Sequence, residues 1–258
     1  EESFDIMKDV VSVSSAARMK GKLKRRWPLN EALICVSKGQ KQKLESLSSL
    51  LMSQLNVEKV TIFEIEKDPG LEQILELKQL NLPVKTILEL DKKRVAPRAK
   101  QHIVKLSNVF SETNKEEIVA SLQKQGQYNY EIDGEKISLD KEDFIVDFDA
   151  SKEFAVSKRD NYIVFISTSR NKEMMARGLI KDIARRLQTL RKERGYNPTD
   201  ILSVASILDL DDESLEMIKE KSEELAFLVR VKQVNFTESC KEYKDDDIDG
   251  QKIRISVE

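Results

Sequence analysis

Apolar and polar positions along the chain alternate between two periods, and the change of period divides it into elements. Over residues 3–26 the apolar positions Phe4, Met7, Val10, Val11, Val13 and Ala17 recur at helical spacing, which predicts one helix. Pro28 cannot continue it, and it pushes Trp27 toward extended backbone. "EALICV" (Glu31–Val36) then reads as a strand. "KQKLESLSSLLMSQL" reads as a helix with Leu44, Leu47, Leu51 and Leu55 on one face, and "VEKVTIFEI" as a second strand. A turn at Asp68–Gly70 leads to a short helix, Leu71–Leu80. "LPVKTILELD" predicts a strand. "APRAKQHIVKLSNVF" predicts a helix with Ile103, Leu106 and Phe110 inward. "SETNKEEIVASLQKQG" predicts a helix that starts at a polar cap and stops at Gly126. Asp133-Gly134, between two alternating runs, marks a hairpin, and "DFIVDF", "EFAVSK" and "NYIVFIST" are further strands.

The last third reads helix, strand, helix, strand. Aligning Pro198 with Pro28 gives an offset of 170 residues and an internal echo. Each copy has a basic helix, an aromatic-plus-proline break, a strand ("EALICV" or "ILSVASI"), an amphipathic helix (Lys41–Leu55 or Asp211–Leu225) and a second strand. The pattern predicts an α+β fold of two similar helix-strand-helix-strand units with a mixed α/β middle insert. The boundaries are a terminal helix at 1–27, a first unit at 28–82, the insert with its hairpin at 83–150 and a second α/β unit at 151–258.

With 258 residues, 40% of them hydrophobic and 35% charged, the chain is long enough for one large or two small cores and too apolar to be disordered. No apolar run approaches the roughly 20 residues that span a bilayer. "EESFDIMKDVV" lacks the parts of a secretion signal and reads as the middle of a helix, which predicts a piece of a longer protein. Cys35 and Cys240 stand far apart in or beside apolar stretches, so buried thiols in a reducing, cytoplasmic setting are expected. His102 is expected on a helix surface.

The net charge of −2 conceals segregation. Ser14–Trp27 holds six basic and no acidic residues, and so does Lys92–Lys105 (six basic), whereas Asp209–Glu224 holds eight acidic residues against two lysines. Glycine numbers only 8, and no glycine-rich phosphate loop, metal-ligand spacing or nucleophile motif occurs. The acidic runs read as solvated faces, and catalytic, cofactor and metal residues are expected to be absent.

On a wheel of the segment starting "GLIKDIARRLQTLRKERGYNPTD", Ala176, Leu179, Ile180, Ile183, Leu187 and Leu190 share the core face. Arg177, Lys181, Arg185, Gln188 and Lys192 share the opposite one, within about 80° of one another. That face carries no i,i+4 Glu partner. The first helix has its own row, Arg18, Lys22 and Arg25. Trp27 and Tyr196 close the two helices. Cationic rows beside aromatics suit RNA, with charge for phosphates and rings for unstacked bases.

"AARMKGKLKRRWPLNEALICV" resembles the end of the anticodon-binding helical bundle of isoleucyl-tRNA synthetases. Residues 162–204 resemble the C-terminal region of the same family more strongly, with matches at Gly178, Leu179, Asp182, Ile183, Arg185, Arg186, Gln188, Arg191, Lys192, Gly195 and Asp200. "VAPRAKQHIVKL" matches a glycine-bounded family element only at Pro97, Arg98 and Lys100, with Ala96 and Ala99 in place of glycines.

The resemblance implies the C-terminal piece of an archaeal- or eukaryote-type isoleucine–tRNA ligase. The parent would join isoleucine to its tRNA with ATP and Mg, zinc being an open option. The catalytic signatures His-Ile-Gly-His and Lys-Met-Ser-Lys-Ser are absent from this chain, which implies a non-catalytic, tRNA-binding appendage. The implied partners are isoleucine tRNA and the rest of the parent, with a monomer expected and no membrane. The candidate tRNA contacts are Arg18, Lys22, Arg25, Trp27, Lys93, Arg94, Arg98, Lys100, Arg177, Lys181, Arg185, Lys192 and Tyr196. A docking domain that stabilises the parent without touching RNA is the alternative.

Overall fold

Helices and small sheets build an α+β structure in the computed structural model, which describes residues 2–151, 153–248 and 250–258. The chain divides into two compact units. One consists of the segment up to Gly21, Ala32–Leu51 and Val60–Ser167; the other of Lys22–Glu31, Met52–Lys59 and Thr168–Glu258.

In the first unit, α1 (Glu2–Lys20) buries Ile6, Val10, Val13 and Ala17 against the hairpin of β7 (Phe154–Arg159) and β8 (Tyr162–Ser167). The stripe is phased on Ile6, so Phe4, expected inward, is 48% exposed. The helix also ends six residues before the expected 26. Gly21 follows it, and Lys22 takes a left-handed φ of 54° that no helix continues. β1 (Leu29–Ser37) pairs antiparallel with β8, Ala32 opposite Ile166 and Cys35 opposite Ile163. With β2 (Val57–Ile65) the sheet order is β2-β1-β8-β7. The single helix expected at 41–55 is two, α2 (Lys41–Glu45) and α3 (Ser48–Leu55). Leu44, Leu51 and Leu55 are buried, while Leu47, at the break, is only half-buried.

The middle of this unit carries α4 (Leu71–Gln79), β3 (Val84–Leu90), α5 (Lys92–Ala99), a 3-10 turn at Lys100–His102, α6 (Ile103–Glu112) and α7 (Lys115–Gln125). β4 (Gln127–Ile132) and β5 (Glu135–Asp140) form a hairpin, and β6 (Phe144–Ala150) pairs antiparallel with β3. The hairpin turns through Asp133 and Gly134 at φ 54° and 77°, the left-handed pair that a two-residue turn needs. α7 starts at Asn114, whose side chain accepts from Glu116 N, and stops at left-handed Gly126. The helix expected across 96–110 is broken by the 3-10 turn, and this rotates His102 inward. Rather than lying on a surface, His102 is buried, with Nδ1 3.2 Å from Asp133 Oδ2 and Nε2 3.4 Å from Glu135 Oε2. Cys35 is buried as expected, and burial together with the Glu76 carboxylate pushes its thiol up to about 12. Cys240 is half-buried, and neither is in a disulfide.

In the second unit, α8 (Lys172–Glu193) is capped by Asn171, whose side chain accepts from Met174 N. It buries Leu179, Ile180, Ile183, Leu187 and Leu190 in one core with β9 (Leu202–Leu208), β10 (Val231–Asn235), β11 (Lys244–Ile248) and β12 (Gln251–Val257). β10 runs parallel to β9 and β12 antiparallel, giving the order β10-β9-β12-β11. The helix expected at Asp211–Leu225 is also two, α9 (Asp212–Lys219) and α10 (Ser222–Val229).

The succession helix, strand, two short helices, strand thus occurs at α1–β2 and at α8–β10. Details recur with it. Leu29 N donates to Asn56 O at 3.1 Å, and Leu202 N donates to Arg230 O at 3.0 Å. Asn56 and Arg230 both take left-handed φ, 50° and 57°. Arg18 and Arg191 are both buried near the ends of their helices. Each residue of the later set lies 173 or 174 positions after its counterpart, against the 170 read from the prolines.

Candidate nucleic-acid interface

The exposed side of α8 carries Lys181, Arg185, Gln188 and Lys192 at positions i, i+4, i+7 and i+11, one line of roughly 16 Å at 1.5 Å per residue. Among the described residues, the side chains of Lys181, Arg185 and Lys192 meet no carboxylate or other hydrogen-bond partner. Gln188 Nε2 donates to Leu228 O at 2.9 Å, which ties the end of α10 to the middle of the stripe.

The other arginines of this region are turned to the fold. Arg177, expected on the row, is half-buried and ion-paired with Glu58. Arg186 donates to Asp182 O, Asp246 Oδ1 and Asp247 O. Arg191, 5% exposed, donates to the carbonyls of Val229, Arg230, Asn197 and Asp200. Arg194 donates to Ser256 Oγ and to the carbonyls of Val257 and Glu242. A planar guanidinium with five donors can join several carbonyls at once, whereas an ammonium offers a compact charge.

Asp182 is fully buried within this unit. Its Oδ2 accepts from Trp27 Nε1 at 3.0 Å and from Lys24 Nζ at 3.2 Å, and Arg26 Nη2 lies 3.2 Å from Oδ1 as an ion pair outside hydrogen-bond geometry. Burial alone would raise its carboxyl. The indole N–H, Lys24 and Arg26 outweigh burial and hold it below the ordinary value. The Trp27 ring lies against Gly178, and Arg170 Cζ sits 4.5 Å from its centroid, so this aromatic is a packed residue with a cation over it. A Cβ at position 178 would meet Trp27 Cδ2 at 2.7 Å. Gly178→Ala is therefore expected to destabilise the protein by up to about 2 kcal/mol. Overpacking of roughly 1–3 kcal/mol outweighs a helix-propensity gain of about 1 kcal/mol. A thermal melt with unchanged or raised midpoint would contradict this.

The remaining candidates scatter. Arg18 is buried in α1, and Lys22 and Arg25 are exposed in the turn beyond its end, so these three form no helical row. Asp91 caps α5 through Lys93 N and Arg94 N. Lys93 is exposed, and Arg94 stands 3.6 Å from Glu142. Arg98 is bonded to buried Asp143, whose other oxygen accepts from Asp140 N, so Arg98 belongs to a turn of the fold. Lys100 is exposed at φ 45°. Lys92, Lys93 and Arg94 crowd the first turn of α5, where the helix dipole disfavours cations.

Tyr196 is half-buried against the second core and lines a cleft of about 480 Å³ with Gln188, Lys192, Asn197, Pro198 and Arg230. Two residues of the last turn and end of α10 escaped the sequence reading. Phe227 is 82% exposed although it sits in the apolar run "LAFLV", and Arg230 is exposed at the left-handed end of α10. Only the 3.6-residue phase of a helix starting at Ser222 would have turned Phe227 outward. Among the described residues, no helix is long and apolar enough to cross a membrane. Among the described residues no group of three or more His, Cys, Asp or Glu is placed to hold a metal ion.

No family model matches the chain. It is 21% identical over 259 residues to the isoleucine–tRNA ligase of Sulfolobus acidocaldarius, covering all of this chain and 23% of that protein. To the isoleucine–tRNA ligase of Pyrococcus abyssi it is 26% identical over 226 residues, 85% of this chain and 18% of the relative. The Saccharolobus solfataricus enzyme is 25% identical over 259 residues, all of this chain and 25% of the relative. The chain thus spans a quarter or less of the length of these curated relatives. Over most or all of its length, the chain is similar to one part of archaeal isoleucine–tRNA ligases, which are aminoacyl-tRNA ligases.

Proposed function

We propose that the chain is a non-catalytic, tRNA-binding appendage near the C-terminal end of an isoleucine–tRNA ligase, contacting the anticodon arm. The parent enzyme would attach isoleucine to its tRNA with ATP. The observation that carries the reading is the line Lys181, Arg185 and Lys192 on α8, exposed and unpartnered in a helix whose other arginines are engaged. The recurrence in the fold adds support. The positions of α1 that correspond to the line, 173 residues earlier, are Lys8, Ser12, Ser15 and Met19. A matching frame is built there without a cation row, so the fold itself does not need those charges. Lys93 and Lys100 are further contacts in this proposal, as are Lys22 and Arg25. The recurrence also supports two similar units separated by the insert expected at 83–150, a reading that superposing 29–65 on 202–235 tests.

Phosphate contacts release condensed counterions, so affinity for tRNA is expected to fall with salt at a log–log slope of roughly −0.7 per contact on unpaired RNA. Replacing Lys181 and Arg185 together with Ala should weaken binding and flatten the slope by roughly one to two units. Cognate and non-cognate tRNA should lose alike, because a phosphate contact carries no base information. Unchanged affinity and slope in the double variant would overturn the proposal in favour of a face that docks on the parent protein.

A further inference from the structure

We infer that the cleft between the end of α8, the end of α10 and the loop at 195–198 receives one unstacked nucleobase of single-stranded RNA. This rests on the proposed function and assigns the cleft a task distinct from that of the α8 line. Three observations point to it. The cleft measures about 480 Å³, within the roughly 300–1,000 Å³ of small-ligand sites. Its walls combine Tyr196, Pro198 and Leu228 with the carboxamides of Gln188 and Asn197. The first group offers flat apolar surface for a ring, the second donors and acceptors for a base edge. Its rim is cationic: Lys192 continues the Lys181–Arg185 line directly into it, and Arg230 stands across from the α8 wall.

Position 230 strengthens the case. Its φ of 57° and ψ of 56° suit glycine or asparagine, the latter being what occupies the corresponding position 56. A long cationic side chain there costs backbone strain, which its charge at the C-terminal end of the helix dipole offsets only in part. Phe227, one turn back along α10, exposes an aromatic ring whose surface would stack a neighbouring base. The carboxylates of α10, Glu223 and Glu224, stand in its first turn, at the other end of the helix from the cleft. The backbone phosphates would therefore follow Lys181, Arg185 and Lys192, and one base would leave the strand at Tyr196.

The test uses a labelled seven-nucleotide single-stranded RNA of mixed sequence and a blunt RNA duplex of equal phosphate number. Variants are Tyr196→Leu, which keeps apolar packing against the core, and Phe227→Ser, which changes an exposed ring. The single strand is expected to bind more tightly than the duplex. Each variant should weaken the single strand by roughly 5- to 100-fold, leave the duplex within twofold and keep the salt slope, as loss of stacking does. Equal affinity for the two probes, with neither variant weakening the single strand while Lys181→Ala/Arg185→Ala still does, would overturn the base-receiving cleft and leave the α8 line standing. Loss of effect in the lysine–arginine double variant as well would overturn both.

Discussion

Arg191→Met is expected to destabilise the second unit by about 3–5 kcal/mol, read as a lower urea midpoint at unchanged slope. The guanidinium joins four carbonyls from two segments, the end of α10 (Val229 and Arg230) and the loop after α8 (Asn197 and Asp200). Methionine fills similar space but donates nothing, so acceptors that face a buried side chain lose a charged donor, each loss costing about 1–3 kcal/mol. Asn197 and Arg230 are exposed residues, and hydration of their carbonyls keeps the total below the sum. Arg191→Lys should recover only part of the loss, because one ammonium cannot present a planar fork to both segments. A midpoint within experimental error of the parent chain would refute this account.

Arg191 also shows where the sequence was readable and where it was not. Its helix was legible, because the stripe Ile183, Leu187 and Leu190 has one period over many turns and all three are buried. The Asp133-Gly134 turn and the Gly126 stop were legible because each depends on left-handed backbone that few residues adopt. The destination of each positive charge was not. Arg185 and Arg186 are neighbours in the sequence, yet one is exposed and unpartnered and the other holds Asp182 O and Asp247 O. That choice is made in part by Asp246 and Asp247, about 60 residues away. The end of α1 was hidden for a related reason: "KGKLKRR" is compatible with helix locally, and its departure at Lys22 is tied to Lys24 and Arg26 finding Asp182. The breaks inside the two amphipathic helices, at 46–47 and 220–221, carry no proline or glycine to announce them.

Asp182→Ala is expected to cost about 2–4 kcal/mol. Removing one member of a buried charge cluster commonly costs about 3–5 kcal/mol. Here Lys24 and Arg26 retain 35% and 38% exposure, so water can take over from the lost carboxylate, which lowers the figure. Asp182→Asn keeps an acceptor for the Trp27 indole and removes only the charge, so it should fall between the two. The pH dependence has a definite sign. The folded carboxyl lies below its ordinary value, so its contribution is fully present above the unfolded pKa, about 4, and is lost as pH falls through the lower folded value. The difference in stability between parent and Asp182→Ala should be constant from pH 7 to about 5 and shrink in more acid solution. A difference that grows with acid would show that the cluster does not hold a carboxylate.

The segment Lys22–Glu31 belongs to the second unit although most of that unit begins at Thr168. Trp27 and Asp182 are 155 positions apart. A ribosome adding roughly 5–20 residues per second needs roughly 8–30 s to cover that distance, so the indole emerges long before the groove over Gly178 exists to receive it. During synthesis the linker between α1 and β1 is therefore an unsheltered aromatic among four basic residues, a stretch suited to chaperone capture. The same interleaving means that no single cut releases the second unit whole. A piece starting at Thr168 leaves Asp182 without Trp27, Lys24 and Arg26, and an independently folding version would have to graft Lys22–Glu31 and Met52–Lys59 back by permutation.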